Sequence, residues 1–420
     1  MFFRGQGTIM IGVAKELTGV AQLAVRGGQP RVSRPLPAWP VAGEAERRLL
    51  LQVLESGIWG LGGALIPKFE ERFASYQHTR FAVLAANGTV TLEMALRALS
   101  IGPGDEVIVP AYTFIATAAV IFQVGAIPVV VDIDPRDCNI DPVKVEAAIS
   151  ERTRAIIAVH VGGGPADLDR LTQLSSRYGV ALIEDAAQAH GAEWRGRRVG
   201  SFGVCGSFSF QSSKNLTCGE GGALVTNDES IADFCRALRN AGRWTGRTPR
   251  RRVLGTDYRL TEFQAALLLA GLDRLDEQTN RRNQNALYLA SLLQQMPDSP
   301  FIPALRDERV TRHAYHLFLI RLPEERWQLP LERVVEALQA EGVPARRGYQ
   351  ALYQDPLWIG SDGEGLTWRL GPGGAPEAER AAREVIWLPQ RLFLGDSALM
   401  EEIWAALEKV WRYRDELRGW

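Results

Sequence analysis

The sequence predicts an α/β fold, in which a mostly parallel sheet is covered by helices on both faces and is followed by a smaller α+β domain. Three observations support this prediction. Short apolar runs alternate with amphipathic segments between residues 81 and 185. Polar side chains come directly after several of these runs, as they do at the carboxyl ends of parallel strands, where such sheets bind ligands. With 420 residues, the chain is long enough for a large domain and a smaller appended one.

The region before the sheet is predicted to contain an extended arm and two helices. Residues 21–44 are rich in glycine and proline, which indicates an arm without regular structure. A helix is predicted over 44–54, because apolar residues recur with helical spacing until Gly57 stops it. Pro67 opens a second helix, over 68–76.

The sheet is predicted from short apolar runs that are bounded by turn residues. The predicted strands cover 81–85, 106–109, 128–131, 155–159 and 180–183. The predicted helices cover 91–99, the segment after Pro110 through residue 120, and 167–178. Strands and helices that alternate in this rhythm favour a parallel sheet whose two faces are both covered.

The C-terminal third has a different pattern. A long helix begins at Thr261 and runs toward residue 293, and it is followed by a predicted strand over 315–322 and helices over 331–341 and 401–413. We therefore expect three parts, which are an N-terminal extended arm (1–40), a large domain (41–275) and a small α+β domain (276–420).

Composition restricts the functions that the chain can have. The formal net charge is −1, so nothing favours binding to nucleic acid or to a membrane surface. The four cysteines are scattered, which indicates a reducing compartment and no zinc site. The apolar stretch at 9–14 is too short for a signal peptide, and no window reaches the length of a membrane span. The sequence therefore predicts a cytoplasmic protein without a metal site.

Lys214 and Asp185 are the strongest catalytic candidates. Asp185 follows an apolar run, and Lys214 lies in a turn rich in serine and glycine. These are the two groups that a pyridoxal 5'-phosphate (PLP) site needs, because the lysine forms a Schiff base with the aldehyde and the carboxylate keeps the ring nitrogen protonated. Apolar neighbours such as Phe208 predict partial burial, which favours the reactive neutral amine of the lysine. Taken singly, the lysine fits a surface loop and the acid fits a helix cap.

Neighbouring residues could complete such a site. Gly88 and Thr89 stand between a strand and a helix, where backbone N–H groups and the helix dipole favour a phosphate. Ser209 could add a hydroxyl to that phosphate, although it also fits a serine at a strand edge. Gln188 could donate to the phenolic oxygen of the ring. Phe114 could stack on the ring, with Tyr112 as the alternative.

An arginine cluster is a further candidate. It comprises Arg236, Arg239, Arg243, Arg247, Arg250, Arg251 and Arg252. Such a run is usually a solvated loop, and the functional alternative is that it attracts an anionic substrate.

Five blocks of the sequence, in order, resemble the DegT/DnrJ/EryC1/StrS family of sugar aminotransferases, which are PLP enzymes of fold type I. The blocks are Ala-Asn-Gly-Thr at 86–89, Pro-Ala-Tyr-Thr-Phe-Ile-Ala-Thr at 110–117, Glu-Asp-Ala-Ala-Gln-Ala-His-Gly at 184–191, Phe-Ser-Phe and Gly-Glu-Gly-Gly around Lys214 at 208–222, and Tyr-Arg-Leu-Thr-Glu-Phe-Gln-Ala-Ala at 258–266. The resemblance covers nearly the whole chain from Gly27 onward. It implies a large PLP-binding domain around a mostly parallel, seven-stranded type of sheet.

The resemblance also implies a role for each site residue. Lys214 would be the Schiff-base lysine, Asp185 the partner of the ring nitrogen, Gln188 the partner of the phenolic oxygen, Phe114 the stacking aromatic, and Gly88, Thr89 and Ser209 the phosphate ligands. A homodimer is implied, with each site completed by the neighbouring subunit. The family usually has an asparagine that reaches the neighbour's phosphate where this chain has Asp257, whose charge repels a phosphate. Arg259 is the alternative phosphate contact.

The substrate is less sharply indicated. Val-Arg-Gly-Gly-Gln-Pro at 25–30 and Gln211 resemble the branch that acts on keto-cyclitols or forms aminohydroxybenzoate, whereas Asn-Leu-Thr at 215–217 resembles nucleotide-sugar enzymes. The glycine loop at 160–165 differs from the bulkier loop that borders the substrate in many members. The resemblance implies a PLP-dependent aminotransferase that moves an amino group from L-glutamate or L-glutamine to a keto-cyclitol or keto-sugar. The alternatives are a 3-amino-5-hydroxybenzoate synthase type of dehydratase and a non-catalytic regulator.

Overall fold

The structure, a computed structural model, describes residues 22–249, 251–359 and 367–418. In these ranges, helices α1 to α13 span Glu44–Ser56, Leu65–Tyr76, Gly88–Ala98, Ala116–Gln123, Pro142–Ala148, Leu168–Tyr178, Glu229–Arg239, Glu262–Gln295, Glu324–Trp327, Leu331–Ala340, Pro356–Ile359, Pro376–Glu384 and Ser397–Arg412. Strands β1 to β15 span Phe81–Ala85, Glu106–Pro110, Ile127–Val131, Thr153–Val159, Ala181–Asp185, Glu193–Trp194, Arg197–Arg198, Cys205–Ser209, Gly222–Thr226, Ile302–Pro303, Val310–Arg312, Leu317–Arg321, Arg346–Arg347, Arg369–Leu370 and Val385–Pro389.

The main sheet has the strand order β1-β9-β8-β5-β4-β2-β3-β14. Strand β9 runs antiparallel to its neighbours β1 and β8, and the other pairings are parallel. The predicted mostly parallel sheet is therefore confirmed. Strand β14 adds a short eighth strand at the edge, beside β3.

The two faces of this sheet are both covered, because side chains of opposite parity enter separate apolar cores. In β4, Ile156 and Ala158 belong to one core, with α1, α2, α6 and α8. Ile157 and Val159 belong to the other core, with α3, α4 and α7. Each buried isoleucine or valine stabilises the fold by about 1.5–3 kcal/mol relative to an exposed one.

Helix α8 connects the main sheet to the C-terminal part of the chain. It has 34 residues and begins in a capping box, in which Thr261 and Gln264 bind each other's backbone groups. It packs against α1 and α2 near its start and against α13 further along. The predicted boundary at 275 falls inside this continuous helix, and the division into 41–275 and 276–420 stays a prediction. None of the described helices is both long and apolar enough to cross a lipid bilayer.

A second sheet, with the order β10-β12-β15-β13, carries its own core with α10 and α13. Strand β12 starts two residues later than the predicted strand, because Tyr315 has a left-handed backbone (φ 46°) that cannot extend a strand. Helix α13 starts four residues earlier than predicted, because the Leu399 N–H donates to the Asp396 carboxylate at 2.9 Å and caps it. A third, small sheet has the order β11-β6-β7.

The predicted arm is described from residue 22 onward, and its residues 1–21 lie outside the described ranges. Between residues 22 and 43 it contains one short turn of 3₁₀ helix, at Ala24–Arg26. The Glu341 carboxylate accepts from the N–H groups of Ala24 at 2.8 Å and Arg31 at 3.0 Å. Lys409 pairs with Glu341 at 2.7 Å and donates to the Gln29 carbonyl at 2.8 Å. This buried ion pair anchors the arm on α10 and α13.

Candidate active site

A cavity of about 890 Å³ lies between the main sheet and the second sheet. Its floor is the carboxyl edge of β1, β2, β4, β5 and β8, where ligands of open α/β sheets bind. Among the predicted site residues, the cavity is lined by Gly88, Thr89, Phe114, Asp185, Gln188, Ser209 and Lys214. The structure thus brings together seven residues that are up to 126 positions apart in the chain, from Gly88 to Lys214 (214 − 88).

Lys214 is presented by the loop between β8 and β9. The Phe210 N–H donates to the Gly221 carbonyl at 2.7 Å and closes the base of the loop. A turn follows, in which the Lys214 N–H donates to the Gln211 carbonyl at 2.9 Å. The Asn215 amide then donates to the Ala314 carbonyl at 2.8 Å, which fixes the far side of the loop. The serine and glycine content is therefore explained by a closed loop that holds one lysine at the cavity.

The electrostatic environment makes Lys214 a reactive amine. Burial lowers the pKa of Lys214 to about 8, and the opposite charge of Asp185 limits this shift. At this pKa, about a tenth of the amine is neutral at pH 7 and about half at pH 8, and the neutral form is the one that attacks an aldehyde. The surface-loop interpretation of this lysine does not fit its position on the cavity.

Asp185 is the last residue of β5, and its neighbour Glu184 points to the opposite face of the sheet. Glu184 is structural, because it accepts from the Gly200 N–H at 2.6 Å and the Phe202 N–H at 2.7 Å. Asp185 accepts from the Thr117 hydroxyl at 2.8 Å. Burial raises the pKa of Asp185, and the Thr117 hydrogen bond opposes the increase. A buried carboxylate of this kind favours a cationic group in the cavity.

The cap interpretation of Asp185 is not supported by the local backbone. The segment after it forms turns and not a helix, and the Ala187 N–H donates to the Asp185 carboxylate at 3.2 Å. Within these turns Gln188 still reaches the cavity.

The amide of Gln188 has a defined orientation. Its oxygen accepts from the Gly162 N–H at 2.8 Å, and its nitrogen donates to the Tyr349 hydroxyl at 2.8 Å. The second N–H of the amide remains available to a ligand. Gly162 has φ 63°, and a Cβ there would lie 2.4 Å from a methyl of Leu319. The glycine loop at 160–165 is therefore packed behind Gln188 and does not line the cavity, so its influence on a substrate is indirect.

The start of α3 forms a cradle for an anion. Asn87 caps this helix by accepting from the Val90 N–H at 2.9 Å. The first N–H groups of a helix have no acceptor within it, so those of Gly88 and Thr89 are available to a phosphate. A Cβ on Gly88 would lie 2.8 Å from the Cβ of Ser209, so only glycine permits the close approach of these two segments.

The two aromatic candidates have different surroundings. Phe114 is 56% exposed and lines the cavity, as a residue that stacks on a ring would. Tyr112 is fully buried and packs edge-on against Tyr349, with ring centroids 5.5 Å apart. These positions favour Phe114 as the stacking residue and Tyr112 as a core residue.

The remaining predicted residues lie away from the cavity. Asp257 is exposed and forms an ion pair with Arg259, which also donates to the Asn240 side chain at 3.0 Å. The charge of Asp257 is therefore matched by Arg259. Neither residue lines the cavity, and their roles stay predictions.

The described arginines of the predicted cluster also lie outside the cavity. Arg239 pairs with Glu70 at 2.5 Å, and Arg251 donates to the Ala98 carbonyl at 2.9 Å. These contacts favour a structural role for those two side chains. Arg250 lies outside the described residues.

The sequence did not single out several residues of the cavity. Thr117 lies in a quoted motif, but its hydrogen bond to Asp185 spans 68 positions. Trp39 reaches the cavity from the arm and donates to the Ser212 carbonyl at 2.9 Å. The second sheet contributes Arg346, Tyr349, Trp387, Gln390 and Arg391. These residues carry no motif of their own, so only the packing of the second sheet identifies them.

A family profile described as the DegT/DnrJ/EryC1/StrS aminotransferase family matches residues 40–407. Among individual proteins, the chain is 39% identical to the L-glutamine:2-deoxy-scyllo-inosose aminotransferase of Streptoalloteichus tenebrarius, over 94% of this chain and 99% of that protein. It is 41% identical to the putative L-glutamine:3-amino-2,3-dideoxy-scyllo-inosose aminotransferase of Micromonospora echinospora, over 94% of this chain and 98% of that protein.

Solved structures show the same relationship. The crystal structure of 3-amino-5-hydroxybenzoic acid synthase matches with a TM-score of 0.80 and 35% identity, over 90% of this chain and 99% of that chain. The structure of S. venezuelae DesV in complex with a ketimine intermediate matches with a TM-score of 0.77 and 36% identity, over 87% of this chain and 94% of that chain. These similarities confirm the predicted fold class.

Proposed function

The chain belongs to the DegT/DnrJ/EryC1/StrS aminotransferase family, and from this premise we propose that it is a PLP-dependent enzyme that transfers the amino group of L-glutamine to a keto-cyclitol. The observation that carries this proposal is the meeting of Lys214 and Asp185 in one cavity, beside the anion cradle at the start of α3. The named activities of the two relatives agree in donor and in acceptor class.

The residues of the cavity fit PLP in charge and shape. A phosphate matches the free N–H groups of Gly88 and Thr89 and the hydroxyl of Ser209. An aromatic ring matches the exposed face of Phe114, and a phenolic oxygen matches the free N–H of Gln188. When bound, PLP supplies an electron sink that labilises the bond between Cα of the amino donor and its hydrogen.

Lys214 has two tasks in the proposed reaction. Its amine would hold the cofactor. When the substrate amine is bound in its place, the same amine would act as the base that removes the proton from Cα of the donor and then as the acid that returns a proton. A pKa of about 8 suits both directions of this proton transfer near neutral pH. The Asp185 carboxylate would stabilise a proton on the ring nitrogen, and the Thr117 hydroxyl fixes this carboxylate by donating to it at 2.8 Å.

The acceptor is proposed to be a neutral, polyhydroxylated ring ketone. Polar groups of Gln211, Ser213 and Glu220 line the cavity and suit hydroxyl groups. The Gln211 side-chain oxygen accepts from the Ser213 hydroxyl at 2.7 Å, so this part of the lining is ordered. L-Glutamate remains the competing donor, and a nucleotide-linked keto-sugar remains the competing acceptor.

A homodimer is part of the proposal. The side chains of Leu54, Ile58, Trp59 and Leu61, which lie close together in the chain from the end of α1 into the following loop, are exposed. Apolar side chains exposed in such number are suited to a protein interface. In the dimer, Arg259 is proposed to contact the phosphate of the neighbouring site. Cytoplasmic localisation stays a prediction of the sequence.

The experiment incubates purified protein, loaded with PLP, with L-[α-¹⁵N]glutamine and 2-deoxy-scyllo-inosose or scyllo-inosose. Mass spectrometry should show ¹⁵N in an aminocyclitol together with 2-oxoglutaramate, and Lys214→Ala should form neither. L-Glutamate and a nucleotide-linked keto-sugar serve as the competing donor and acceptor. Transfer to the nucleotide-linked sugar alone would replace the acceptor in the proposal.

Two further outcomes would contradict the transferase activity. Formation of 3-amino-5-hydroxybenzoate from the corresponding aminodehydroshikimate, without any transfer from glutamine, would assign a dehydratase. A wild-type protein that stays colourless with added PLP, and transfers nothing, would favour a non-catalytic regulator.

A further inference from the structure

Trp39 is an aromatic side chain of the cavity that the proposed function leaves unassigned. It lies on the arm, after the point where the Arg34 guanidinium binds the Asp396 carboxylate through two hydrogen bonds of 3.0 Å. Beyond Trp39, the Arg274 guanidinium donates to the Val41 carbonyl at 3.2 Å. The arm is therefore held on both sides of Trp39, which fixes the position of the ring at the cavity.

Two contacts orient the indole ring of Trp39. Its N–H donates to the Ser212 carbonyl at 2.9 Å, in the loop that carries Lys214. The Arg282 guanidinium lies over the ring, with its central carbon 5.3 Å from the ring centroid. Because Trp39 is half-buried and lines the cavity, the surface that a ligand can contact is the part of the ring away from Arg282.

Arg282 is suited to hold this ring, because no carboxylate competes for it. It is fully buried and forms no ion pair with a residue that the structure describes, and its Nε donates to the Gln390 side-chain oxygen at 2.8 Å. Its two terminal nitrogens have no hydrogen-bond acceptor among the described residues. A desolvated guanidinium is attracted strongly to an aromatic face. Arg282 is thus a positioning residue for Trp39.

The other large aromatic side chains of the cavity have different contacts. Phe114 is proposed to stack on the cofactor ring, and the Tyr349 hydroxyl accepts from Gln188 at 2.8 Å. Trp387 packs edge-on against Tyr349, with ring centroids 4.4 Å apart. Among the described residues, no aromatic ring packs against Trp39 in this way. Its ring therefore remains for a substrate.

We propose that Trp39 stacks on one face of the cyclitol acceptor and thereby selects rings whose hydroxyl groups are all equatorial. This inference rests on the proposed function. In a scyllo ring every hydroxyl is equatorial and the axial positions carry hydrogen, so both faces of the ring are apolar and its rim is polar. An aromatic face matches the apolar surface, and hydrogen-bonding groups match the rim.

The surroundings of Trp39 supply both kinds of surface at one place. Ser212, whose carbonyl binds the indole N–H, stands between Gln211 and Ser213, and both of these line the cavity. Lys214 follows directly in the chain. A ring that lies against Trp39 consequently has its hydroxyl rim beside polar side chains and its ketone near the reactive amine.

A nucleobase is the competing ligand for an exposed aromatic face. In a nucleotide-linked keto-sugar, a ribose and a diphosphate separate the base from the ketone. Trp39 is hydrogen-bonded to a residue that lies two positions before Lys214, so a ligand on its ring lies close to the reacting centre. This position favours the ring that carries the ketone over a distant base.

The two half-reactions separate acceptor binding from donor binding. In the donor half-reaction, PLP-loaded protein is mixed with L-glutamine, and the loss of visible absorbance is followed. In the acceptor half-reaction, protein loaded with pyridoxamine phosphate is mixed with 2-deoxy-scyllo-inosose, and the return of the absorbance is followed. The variants are Trp39→Leu and Trp39→Phe. The matched control is Trp411→Leu, because Trp411 is also half-buried and also has an arginine, Arg414, over its ring, but lies outside the cavity.

We expect Trp39→Leu to raise the apparent KM for the acceptor by roughly 5- to 20-fold, because leucine keeps apolar volume but offers no flat aromatic face. Trp39→Phe should stay within about threefold, since it keeps such a face and loses the N–H. The donor half-reaction should change less than about twofold, because glutamine has no apolar ring face. Trp411→Leu should behave as the wild type in both half-reactions.

Binding of unreactive cyclitols gives a readout that does not depend on turnover. The isomer scyllo-inositol has only equatorial hydroxyls, chiro-inositol has an axial hydroxyl on each face, and neither carries a ketone. Calorimetry of wild-type protein loaded with pyridoxamine phosphate should show that scyllo-inositol binds at least about tenfold more tightly. Trp39→Leu should lose most of this preference, and Trp411→Leu should keep it.

Failure of the inference and failure of the proposed function give different results. If the wild type aminates the cyclitol and Trp39→Leu keeps its acceptor KM within about twofold, the inference is overturned alone. Equal losses in both half-reactions also overturn it, because Trp39 would then act structurally. Should Trp39→Leu fail to fold, the wild type decides, since equal binding of the two inositols overturns the inference.

Two results would affect the proposed function as well. A wild type that reacts with glutamine but aminates only a nucleotide-linked keto-sugar replaces the proposed acceptor and overturns the inference with it. A wild type that reacts with no α-amino acid overturns the proposed function and the inference that rests on it.

Discussion

The two walls of the cavity are built differently. The sheet wall consists of Gly88, Thr89, Phe114, Asp185, Gln188, Ser209 and Lys214, and the second-sheet wall consists of Arg346, Tyr349, Trp387, Gln390 and Arg391. On the sheet wall, hydrogen bonds to Thr117 and Gly162 hold Asp185 and Gln188 in fixed orientations. On the second-sheet wall, two guanidinium groups have no partner among the described residues.

The difference fits the proposed function, in which the sheet wall would hold a resident cofactor and the second-sheet wall would face the substrates. A resident cofactor needs pre-oriented groups, because it stays bound through every turnover. The amino donor and the acceptor bind in turn, so charged side chains that bind a substrate would stay unpaired until it arrives. Tyr349 is the exception on the second-sheet wall, because it accepts a hydrogen bond from Gln188 and so joins the two walls.

Lys214→Ala should have the largest effect. Loss of both the covalent attachment and the proton transfer should lower amino transfer by at least about 10³-fold. Both half-reactions should be lost together, and the visible absorbance of the PLP-loaded protein should disappear while circular dichroism stays unchanged. A variant that kept more than a tenth of the wild-type rate would show that Lys214 takes no part in the chemistry. The two walls would then no longer differ in function as proposed.

Asp185→Asn should have the second largest effect. The substitution keeps the shape and the contact with Thr117 but removes the charge opposite the ring nitrogen. We expect a decrease of about 10²-fold in kcat of both half-reactions, with little change in KM for glutamine. Single-turnover absorbance measurements test this. A decrease confined to the donor half-reaction would contradict a cofactor-directed role for the sheet wall.

Tyr349→Phe should cost less, because it removes a single neutral hydrogen bond. The Gln188 amide would lose its acceptor at 2.8 Å, and kcat should fall by about 2- to 10-fold. The control is Tyr353→Phe, since the Tyr353 hydroxyl donates to Glu379 at 2.6 Å outside the cavity. Equal effects of the two substitutions would show that Tyr349 does not join the walls.

The pH dependence of PLP capture by the cofactor-free protein should be the smallest effect. Burial lowers the pKa of Lys214 to about 8, so the amine is protonated below that pH and neutral above it. The neutral fraction is about a tenth at pH 7 and about half at pH 8, so capture should accelerate about fivefold between them and then level off. Stopped-flow absorbance measures this rate. A tenfold rise per pH unit that continues past pH 10 would indicate an ordinary exposed lysine.

Among the described elements, the sequence predicted eight of the thirteen helices and six of the fifteen strands, because apolar periodicity and turn residues are local properties. It missed several short elements completely, and it misplaced some element ends, where particular caps decide. Helices α5 and α7 were absent from the prediction, although Asp141 and Asp228 cap them with hydrogen bonds of 2.8 Å and 2.7 Å. The strand order of the main sheet and the antiparallel direction of β9 followed from no local signal.

By itself, the sequence determined which residues form the sheet wall. Three local patterns indicate these residues: a strand that ends in an acid, a strand followed by Asn-Gly-Thr, and a serine-rich turn with one lysine. They come together because parallel strands bring their carboxyl ends to one edge of the sheet. The tertiary structure alone decided the second-sheet wall. Tyr349 meets Gln188 across 161 positions, and Arg346 and Arg391 face the cavity only because the second sheet packs there. Contacts between such distant positions depend on how whole elements pack, and no short segment encodes them.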